Sequence, residues 1–525
     1  MPPSHDPARG EHGVTAKRKK KHYGRTAKVG AVWSLLRRGG QELVAIPTSA
    51  VMARLLVPEE FGVAAAASFF ILLATRLTQF GFNAAIVRVK ELRPEHASSV
   101  FAVNLAFGVA VYLALFGAAP YIGQFLRSPE AGALLPHAAL VFLITPFGTV
   151  PSALIARRLQ FRYMAVGDWT DTTVGAIASI VLATYGYGYW SLVYGQLAGT
   201  ALRVMVKMYL SGWRPSVWVS AAALRELLSF GLGLQTKRLF EFATNNLDTL
   251  VVGRVLGMAP LGVYDKAFTT MNRLVNRLTL GDVYFRIFSI IHEEPLRFRR
   301  AYSRLVLSVS MLGLPAFAVA IVVARPLFLL MYGDNWLAAV VPFQLLCAGG
   351  MLKLFNAYAS QANEASGNIW GQAWRQGFGT VCIVVGALVG ARVGGVVGAA
   401  TGVAIGMAIL TYAIQALVRR TTGLTWAEML RPQVPAVTCT LILVGILLGV
   451  GRLLTLVNPD PSAWQLLALQ AAAALVVYTI FVLASPFRDL AEVVDETAHQ
   501  LLPARVAEHF QRVAGIMRPA AAARR

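Results

Sequence analysis

Long apolar segments recur along the whole chain, and they constrain its fold more than any other feature. A helix that crosses a bilayer needs about 20 mostly apolar residues. Only 14% of the 525 residues are charged, whereas soluble domains contain about 25%. The sequence therefore predicts an all-α polytopic membrane protein with about fourteen transmembrane helices. The predicted spans are 29–53, 61–84, 98–120, 134–155, 167–185, 189–210, 226–252, 261–284, 304–324, 337–360, 374–391, 394–418, 434–456 and 463–485.

The distribution of basic residues predicts the topology. The net charge is +22, and the cations concentrate in short segments between apolar runs, which is typical of cytoplasmic loops rather than of a nucleic-acid surface. Successive basic segments must then be separated by an even number of spans. This parity requires the charge-bearing segments 29–53, 226–252 and 261–284 to cross the membrane as well. We therefore expect a multi-pass protein with both termini in the cytoplasm, and no binding of nucleic acid.

The second half of the chain repeats features of the first at an offset of 200 residues. Arg37-Arg38 corresponds to Lys237-Arg238, and Arg54-Leu-Leu-Val-Pro-Glu-Glu-Phe-Gly62 corresponds to Arg254-Val-Leu-Gly-Met-Ala-Pro-Leu-Gly262. Fixed spacing over this length predicts duplicated lobes. The predicted organisation is a basic cytoplasmic tail (1–28), two pseudo-symmetric six-helix lobes (29–210 and 211–432), two additional helices (433–485) and an amphipathic cytoplasmic tail (486–525).

Charged residues inside four of the predicted spans are the candidate functional residues. Charge within a membrane segment is costly and usually faces a cavity or a pathway. The seven cations outnumber the three acids considered as their salt-bridge partners, Glu42, Glu241 and Asp248, so they favour a cavity that binds an anion. The planar guanidinium of arginine suits phosphate in particular. Internal salt bridges and snorkelling near helix ends remain the structural alternative. The candidate cations are Arg37, Arg38, Arg76, Lys237, Arg238, Arg273 and Arg277.

Signatures of catalysis and of metal binding are missing from the sequence. No G-x-x-x-x-G-K-[ST] motif occurs, so we expect no ATP hydrolysis by this chain. The histidines form no metal-ligand spacing, and the three cysteines lie in apolar segments without disulfide or zinc spacing. We expect neither an enzyme nor a metalloprotein. Glycine clusters such as Gly394-Gly-Val-Val-Gly398 predict close helix packing rather than phosphate loops.

Several short motifs occur along the chain in a fixed order. They are Leu56-Val-Pro-Glu-Glu-Phe-Gly62, Gly81-Phe82, Arg157-Arg-Leu-Gln-Phe-Arg162, Gly186-Tyr-Gly-Tyr-Trp-Ser-Leu-Val193, Trp213-Arg-Pro215, Leu228-Ser-Phe-Gly231, Val252-Gly-Arg-Val-Leu-Gly257, Leu261-Gly-Val-Tyr264 and Tyr332-Gly-Asp-Asn-Trp336. Together they resemble the motifs of bacterial polysaccharide and O-antigen flippases, which transport lipid-linked oligosaccharides within the multidrug/oligosaccharidyl-lipid/polysaccharide exporter superfamily. One departure is Phe285-Arg286, where the family usually has Phe-Pro.

The resemblance implies a function in the bacterial inner membrane. It implies movement of a polyprenyl-diphosphate-linked oligosaccharide from the cytoplasmic to the outer leaflet by alternating access, for lipopolysaccharide, exopolysaccharide or capsule biosynthesis. It further implies contact with membrane lipids, and it makes a polysaccharide polymerase and glycosyltransferases possible partners. The family is thought to couple to an ion gradient. With no other cofactor expected, Glu241 and Asp248 are the candidates for coupling to Na⁺ or H⁺.

Three other functions are consistent with parts of the pattern. A drug or cation antiporter of the same superfamily would need a cavity dominated by acids, whereas this chain favours Arg and Lys. A membrane glycan polymerase or ligase would need a large outer loop with catalytic polar residues, and the predicted outer loops are short. A flippase for the peptidoglycan lipid precursor shares both the fold and the charge pattern, and only its substrate separates it.

Overall fold

The computed structural model describes residues 8–78, 93–220, 235–279 and 283–484, together with positions 86, 89, 487 and 490. Within these ranges the regular structure is helical. The helices are α1 Ala8–Leu55, α2 Pro58–Thr78, α3 Pro94–Leu126, α4 Pro129–Ala139, α5 Val141–Ile144, α6 Pro146–Arg157, α7 Phe161–Thr184, α8 Trp190–Ser211, α9 Gln235–Leu256, α10 Met258–Leu278, α11 Val283–Ile291, α12 Pro295–Val322, α13 Ala324–Tyr332, α14 Val340–Ala365, α15 Ile369–Thr422, α16 Trp426–Leu430, α17 Val434–Val457 and α18 Ala463–Ala484.

Proline and glycine mark many of the helix boundaries. Five helices (α2, α3, α4, α6 and α12) begin with proline, whose fixed φ suits the first helical position and whose missing N–H has no partner there anyway. Glycine ends α8 at Gly212 (φ 69°) and α15 at Gly423 (φ 68°). These residues adopt the left-handed conformation in which a side chain would be strained.

The chain is a multi-pass membrane protein of all-α class, as predicted. In the described part, seven helices are long and apolar enough to cross a membrane: α2, α3, α12, α14 with the 3-10 turn before it, α15, α17 with the residues before it, and α18. The segments α4–α5 and α6 are apolar enough together but are bent by 42°, and they give an eighth span if they cross the membrane as one. The charge-bearing segments are also helical, as α1, α9 and α10, but these helices are too polar to be counted with the seven. The count of fourteen spans stays a prediction.

Helix α15 contains two of the predicted spans. Its backbone leaves helical geometry at Gly394 and Gly395 (φ 57°), which separates the predicted spans 374–391 and 394–418. The halves then pack with glycine against glycine. A Cβ on Gly390 would lie 2.0 Å from the carbonyl oxygen of Gly398, and one on Gly386 would lie 2.4 Å from that of Gly402. The prediction of close helix packing is confirmed for Gly398, whereas nothing lies within 4 Å of a Cβ on Gly394 or Gly395, which form the break.

The chain divides into two compact units. The first comprises residues 1–56 and 66–238, and the second comprises residues 57–65 and 239–525. Helix α2 therefore contributes its first turns to the second unit and the remainder to the first. The lobe boundaries 29–210 and 211–432 remain a prediction from the sequence.

The core of each unit is built from helix faces. In the first unit, α7 packs on α8 and α1, and α3 packs on α4 and α6. Phe101 of α3 lies there in T-shaped contact with Phe147 and Trp213. In the second unit, α14 packs on α15, α12 and α10, and α17 packs on α12 and α18. Each unit thus buries apolar helix faces of its own.

Candidate functional site

Helix α10 carries a polar stripe that includes two of the predicted cations. Thr269, Asn276 and Arg277 are exposed on it, and Asp265 and Arg273 are half-buried. These positions recur at helical spacing along one face. The opposite face is apolar and buried, and it consists of Leu261, Tyr264, Ala267, Phe268, Met271 and Val275. Since charge exposed to lipid is costly, the stripe fits contact with water or protein.

The two adjacent arginines of helix α1 lie in different environments. Arg37 is half-buried, and its Nη1 donates to Oδ2 of Asp168 at 2.6 Å. The indole of Trp169 donates to the carbonyl oxygen of Arg37 at 3.1 Å, which fixes this turn of α1 against α7. Neighbouring helix positions are about 100° apart, and Arg38 is exposed. Of the two, Arg37 is engaged by a carboxylate and Arg38 stands on the surface of α1.

The partner of Arg37 belongs to an ion-pair network that sequence reasoning did not find. Lys207 of α8 donates to the other oxygen of Asp168 at 2.7 Å. One turn along α7, Asp171 accepts hydrogen bonds from Arg203 at 2.9 Å and from Thr200 at 3.3 Å. Both Arg203 and Lys207 lie within α8, mostly covered by the predicted span 189–210, and pair with acids of α7.

The remaining predicted cations are placed as follows. Arg76 is exposed in the last turn of α2. The side chains of Lys237 and Arg238, at the start of α9, lie outside the described residues, so their role stays a prediction. The structure therefore places Arg273 and Arg277 together on one helix face, and it does not test whether Arg38 or Arg238 joins them.

The two coupling candidates occupy different environments. Glu241 is exposed on α9. Asp248, two turns further along, is only 1% exposed, and its Oδ2 accepts a hydrogen bond from the Tyr264 hydroxyl at 2.6 Å. Its Oδ1 is buried and finds no hydrogen-bond partner in the part of the chain that the structure describes. Lys353 of α14 interacts electrostatically with Asp248 and donates to Asn272 at 2.6 Å.

A second buried lysine lies among aromatic rings. Lys266 of α10 is 4% exposed, and its Nζ lies 4.0 Å from the ring centroid of Phe61, 4.8 Å from that of Tyr332 and 4.9 Å from that of Trp336. Each ring offers a cation–π contact. The motifs 56–62 and 332–336, which carried the family resemblance, therefore meet in one cluster in the second unit.

The sequence prediction did not include these buried and half-buried charges. Asp168, Asp171, Asp265, Lys266 and Lys353 were all visible as charges within apolar sequence. What the sequence could not show was the pairing. Asp168 and Arg37 are 131 positions apart. Their pairing therefore cannot be recognised from the i,i+4 spacing that reveals pairs within one helix.

Solved structures share this fold. The inward-closed lipid II flippase MurJ matches with a TM-score of 0.68 and 13% identity, over 86% of this chain and 98% of that one. An inward-facing multidrug-resistance MATE transporter matches with a TM-score of 0.58 and 17% identity, over 73% of this chain and 95% of that one. At these identities the likeness shows the fold alone, that of polytopic helical membrane proteins.

Sequence relatives come from polysaccharide pathways. The lipopolysaccharide biosynthesis protein WzxC of Escherichia coli K12 is 26% identical over 312 residues, and the succinoglycan biosynthesis transport protein ExoT of Rhizobium meliloti is 29% identical over 313. Each match covers 58% of this chain and 62% of the relative, so the chain spans about three fifths of the length of these proteins. The pattern of the family described as polysaccharide biosynthesis protein matches residues 51–341, more than half of the sequence. The chain belongs to that family.

Proposed function

We propose that the protein is a flippase. Its substrate is a polyprenyl-diphosphate-linked oligosaccharide, which it moves from the cytoplasmic to the outer leaflet of the bacterial inner membrane for surface polysaccharide biosynthesis. It acts as a transporter by alternating access and catalyses no covalent step. Both termini lie in the cytoplasm. The names of the relatives and the transporter fold support this class.

The observation that carries the proposal is the arginine-bearing stripe on α10. Arg273 and Arg277 are spaced i,i+4, and like charges at that spacing repel. A diphosphate bound to both guanidinium groups would remove the repulsion and accept bidentate hydrogen bonds. Threonine and asparagine on the same stripe add uncharged polar groups that suit a sugar or a phosphate. The stripe thus fits the charged head of a lipid-linked substrate.

Other cations have supporting roles in this proposal. Arg38 is exposed on α1, and Arg76 is exposed on α2, and exposure suits contact with an anion. Lys237 and Arg238 are included only because the duplication makes them equivalent to Arg37 and Arg38. Arg37 acts as a positioning residue, because its pair with Asp168 fixes the turn of α1 from which Arg38 projects.

Coupling to an ion gradient is assigned to Asp248 rather than Glu241. Asp248 is buried with one oxygen held by Tyr264 and the other without a partner in the described chain. Such an oxygen suits a proton or a monovalent cation. A matched test is Asp248→Asn, which keeps the shape and removes the charge. We expect this variant to bind substrate and to lose the dependence of transport on an imposed ion gradient.

The experiment for the main proposal is flipping in reconstituted vesicles. A diphosphate-linked oligosaccharide lipid is placed in one leaflet, and its appearance in the other is followed with a sugar-specific probe. We expect the double variant Arg273→Ala, Arg277→Ala to insert normally and to flip slowly. Arg300→Ala, which removes an exposed arginine from α12, is the matched control. Normal flipping by the double variant would remove α10 from the mechanism.

The same assay with a second substrate distinguishes the two flippase classes. The same vesicles are loaded with the peptidoglycan lipid precursor in place of the oligosaccharide lipid. The names of the sequence relatives support the oligosaccharide lipid, so we expect the precursor to be flipped more slowly. Polymerase and glycosyltransferase partners are proposed on the same basis, and co-purification of the tagged protein from membranes tests them.

A further inference from the structure

The second unit contains an apolar cavity that the proposed mechanism does not use. Its volume is about 470 Å³, and its walls come from α12, α14, the second half of α15, and α16. Tyr302 and Leu314 line it on α12, Ala348 on α14, Ala408 and Tyr412 on α15, and Trp426 on α16. Ala348, Ala408 and Tyr412 are exposed, so the cavity opens at the protein surface.

The cavity has the length of one bilayer leaflet. Along α12 it runs from Tyr302 to Leu314, which is twelve residues or about 18 Å at about 1.5 Å per residue. Half of a hydrocarbon core of about 30 Å is about 15 Å. At about 30 Å³ for each water-sized group, the volume holds about fifteen such groups. That is the size of one fatty acyl chain, and a polyprenyl chain is several times larger.

The end of the cavity at α16 is aromatic and basic. The ring of Trp426 stacks on that of Tyr412 with centroids 5.4 Å apart, and the Arg419 guanidinium lies 5.4 Å from the Trp426 ring. A capping box between Thr425 and Glu428 fixes the start of α16 and engages its acid. Tryptophan is typical of the membrane interface, and basic pockets between membrane helices on the cytoplasmic side bind anionic lipid headgroups.

We propose that this cavity binds a single anionic phospholipid of the bilayer. One acyl chain lies between α12, α14 and α15, from Trp426 towards Leu314, and the headgroup phosphate lies beside Arg419. Apolar walls match the chain, and the cation at the end of the cavity matches the phosphate. On the orientation proposed above, the lipid belongs to the cytoplasmic leaflet. The bound lipid fills the space between these helices and stabilises the second unit independently of the transported substrate.

The test measures phospholipid that stays with the purified protein. Native mass spectrometry of the full chain, delipidated and then titrated with phosphatidylglycerol, should show one tightly bound lipid. Ala408→Trp should abolish it by filling the cavity, and the fold should tolerate the change because Ala408 is exposed. Ala472→Trp, at an exposed alanine of α18, is the matched control and should bind as the wild type does.

Headgroup selectivity provides the second measurement. Arg419→Ala should weaken phosphatidylglycerol about fivefold and leave phosphatidylcholine unchanged. The proposal is overturned if Ala408→Trp binds like the control, or if Arg419→Ala affects both lipids equally. It is also overturned if a polyprenyl phosphate, added in competition, displaces phosphatidylglycerol at stoichiometric concentration, because the occupant would then be the substrate class. Flipping is measured separately, so failure of the transport proposal leaves this test intact.

Discussion

Asp168 accepts hydrogen bonds from cations of two other helices, Arg37 of α1 and Lys207 of α8. This arrangement ties three helices of the first unit together through one carboxylate. The side chains are well buried, with exposed fractions of 13% for Asp168 and 9% for Lys207. A charge removed from such a site leaves its partners uncompensated at low dielectric. The network is therefore a structural element that fixes α1, and Arg38 with it.

We predict that Asp168→Asn destabilises the protein by about 3 kcal/mol, because it leaves the buried Lys207 without a counter-charge and the half-buried Arg37 without its carboxylate partner. Asp171→Asn should cost about 1 kcal/mol, since Asp171 and its partner Arg203 are more exposed, at 25% and 30%. Thermal unfolding in detergent, followed by size-exclusion fluorescence, gives the order of the two melting temperatures. A larger loss in Asp171→Asn than in Asp168→Asn would contradict this assignment.

A more specific prediction at the residue scale concerns Arg277. Arg277→Ala should reduce the affinity for a diphosphate-linked lipid about 10- to 150-fold, which is the loss of one charge-assisted contact. Arg277→Lys should recover only part of that affinity, because a point charge lacks the bidentate fork. Binding is measured by titrating the lipid into purified protein. Full recovery with lysine would mean that charge alone matters at this position.

At the scale of the element, the sequence predicted most helices and missed how some of them bend. The apolar segments 98–120 and 434–456 lie within α3 and α17, and α18 covers residues 463–484 of the third such segment, because length and hydropathy alone define these spans. The segment 134–155 is instead broken into α4, α5 and α6. Prolines inside and at the start of these helices, at 136, 146 and 151, remove backbone donors and bend the path. An average of hydropathy along a segment does not show where its helix bends.

The first turns of α2 and α10 pack through two glycines that the 200-residue offset makes equivalent. A Cβ on Gly62 would lie 1.8 Å from the carbonyl oxygen of Met258, and one on Gly262 would lie 1.7 Å from that of Pro58. The contact is reciprocal, since each glycine faces the residue four positions earlier in the other copy of the motif. Only glycine permits backbones to approach this closely.

We therefore predict that Gly62→Ala and Gly262→Ala each destabilise the protein by about 1–3 kcal/mol, the usual cost of overpacking. Gly445→Ala is the matched control, because nothing lies within 4 Å of a Cβ there, and alanine should raise helix stability by up to about 1 kcal/mol. Melting temperatures of the three variants in one detergent provide the comparison. Equal melting temperatures for Gly62→Ala and Gly445→Ala would show that the helices separate without cost.

At the scale of the whole molecule, the duplication and the loop charges made different kinds of prediction. The duplication has a structural counterpart in the Gly62–Gly262 contact within the second unit. Loop charge predicted a direction across the membrane, which depends on the insertion machinery and on the bilayer rather than on packing. The packing of the helices does not determine this direction, so the orientation in the membrane is tested by labelling.

The orientation prediction is that the loop between α7 and α8 lies outside, whereas the loop before α12 and both termini lie inside. Tyr187 is exposed in the first loop, and Glu293 is 86% exposed in the second, so single cysteines at these positions should react without disturbing the fold. In intact cells of a variant lacking Cys347, Cys382 and Cys439, a membrane-impermeant maleimide should label Tyr187→Cys. It should label Glu293→Cys and Ser4→Cys only after permeabilisation. Labelling of Ser4→Cys in intact cells would reverse the N-terminal orientation, and failure to label Tyr187→Cys would break the parity of spans on which the topology rests.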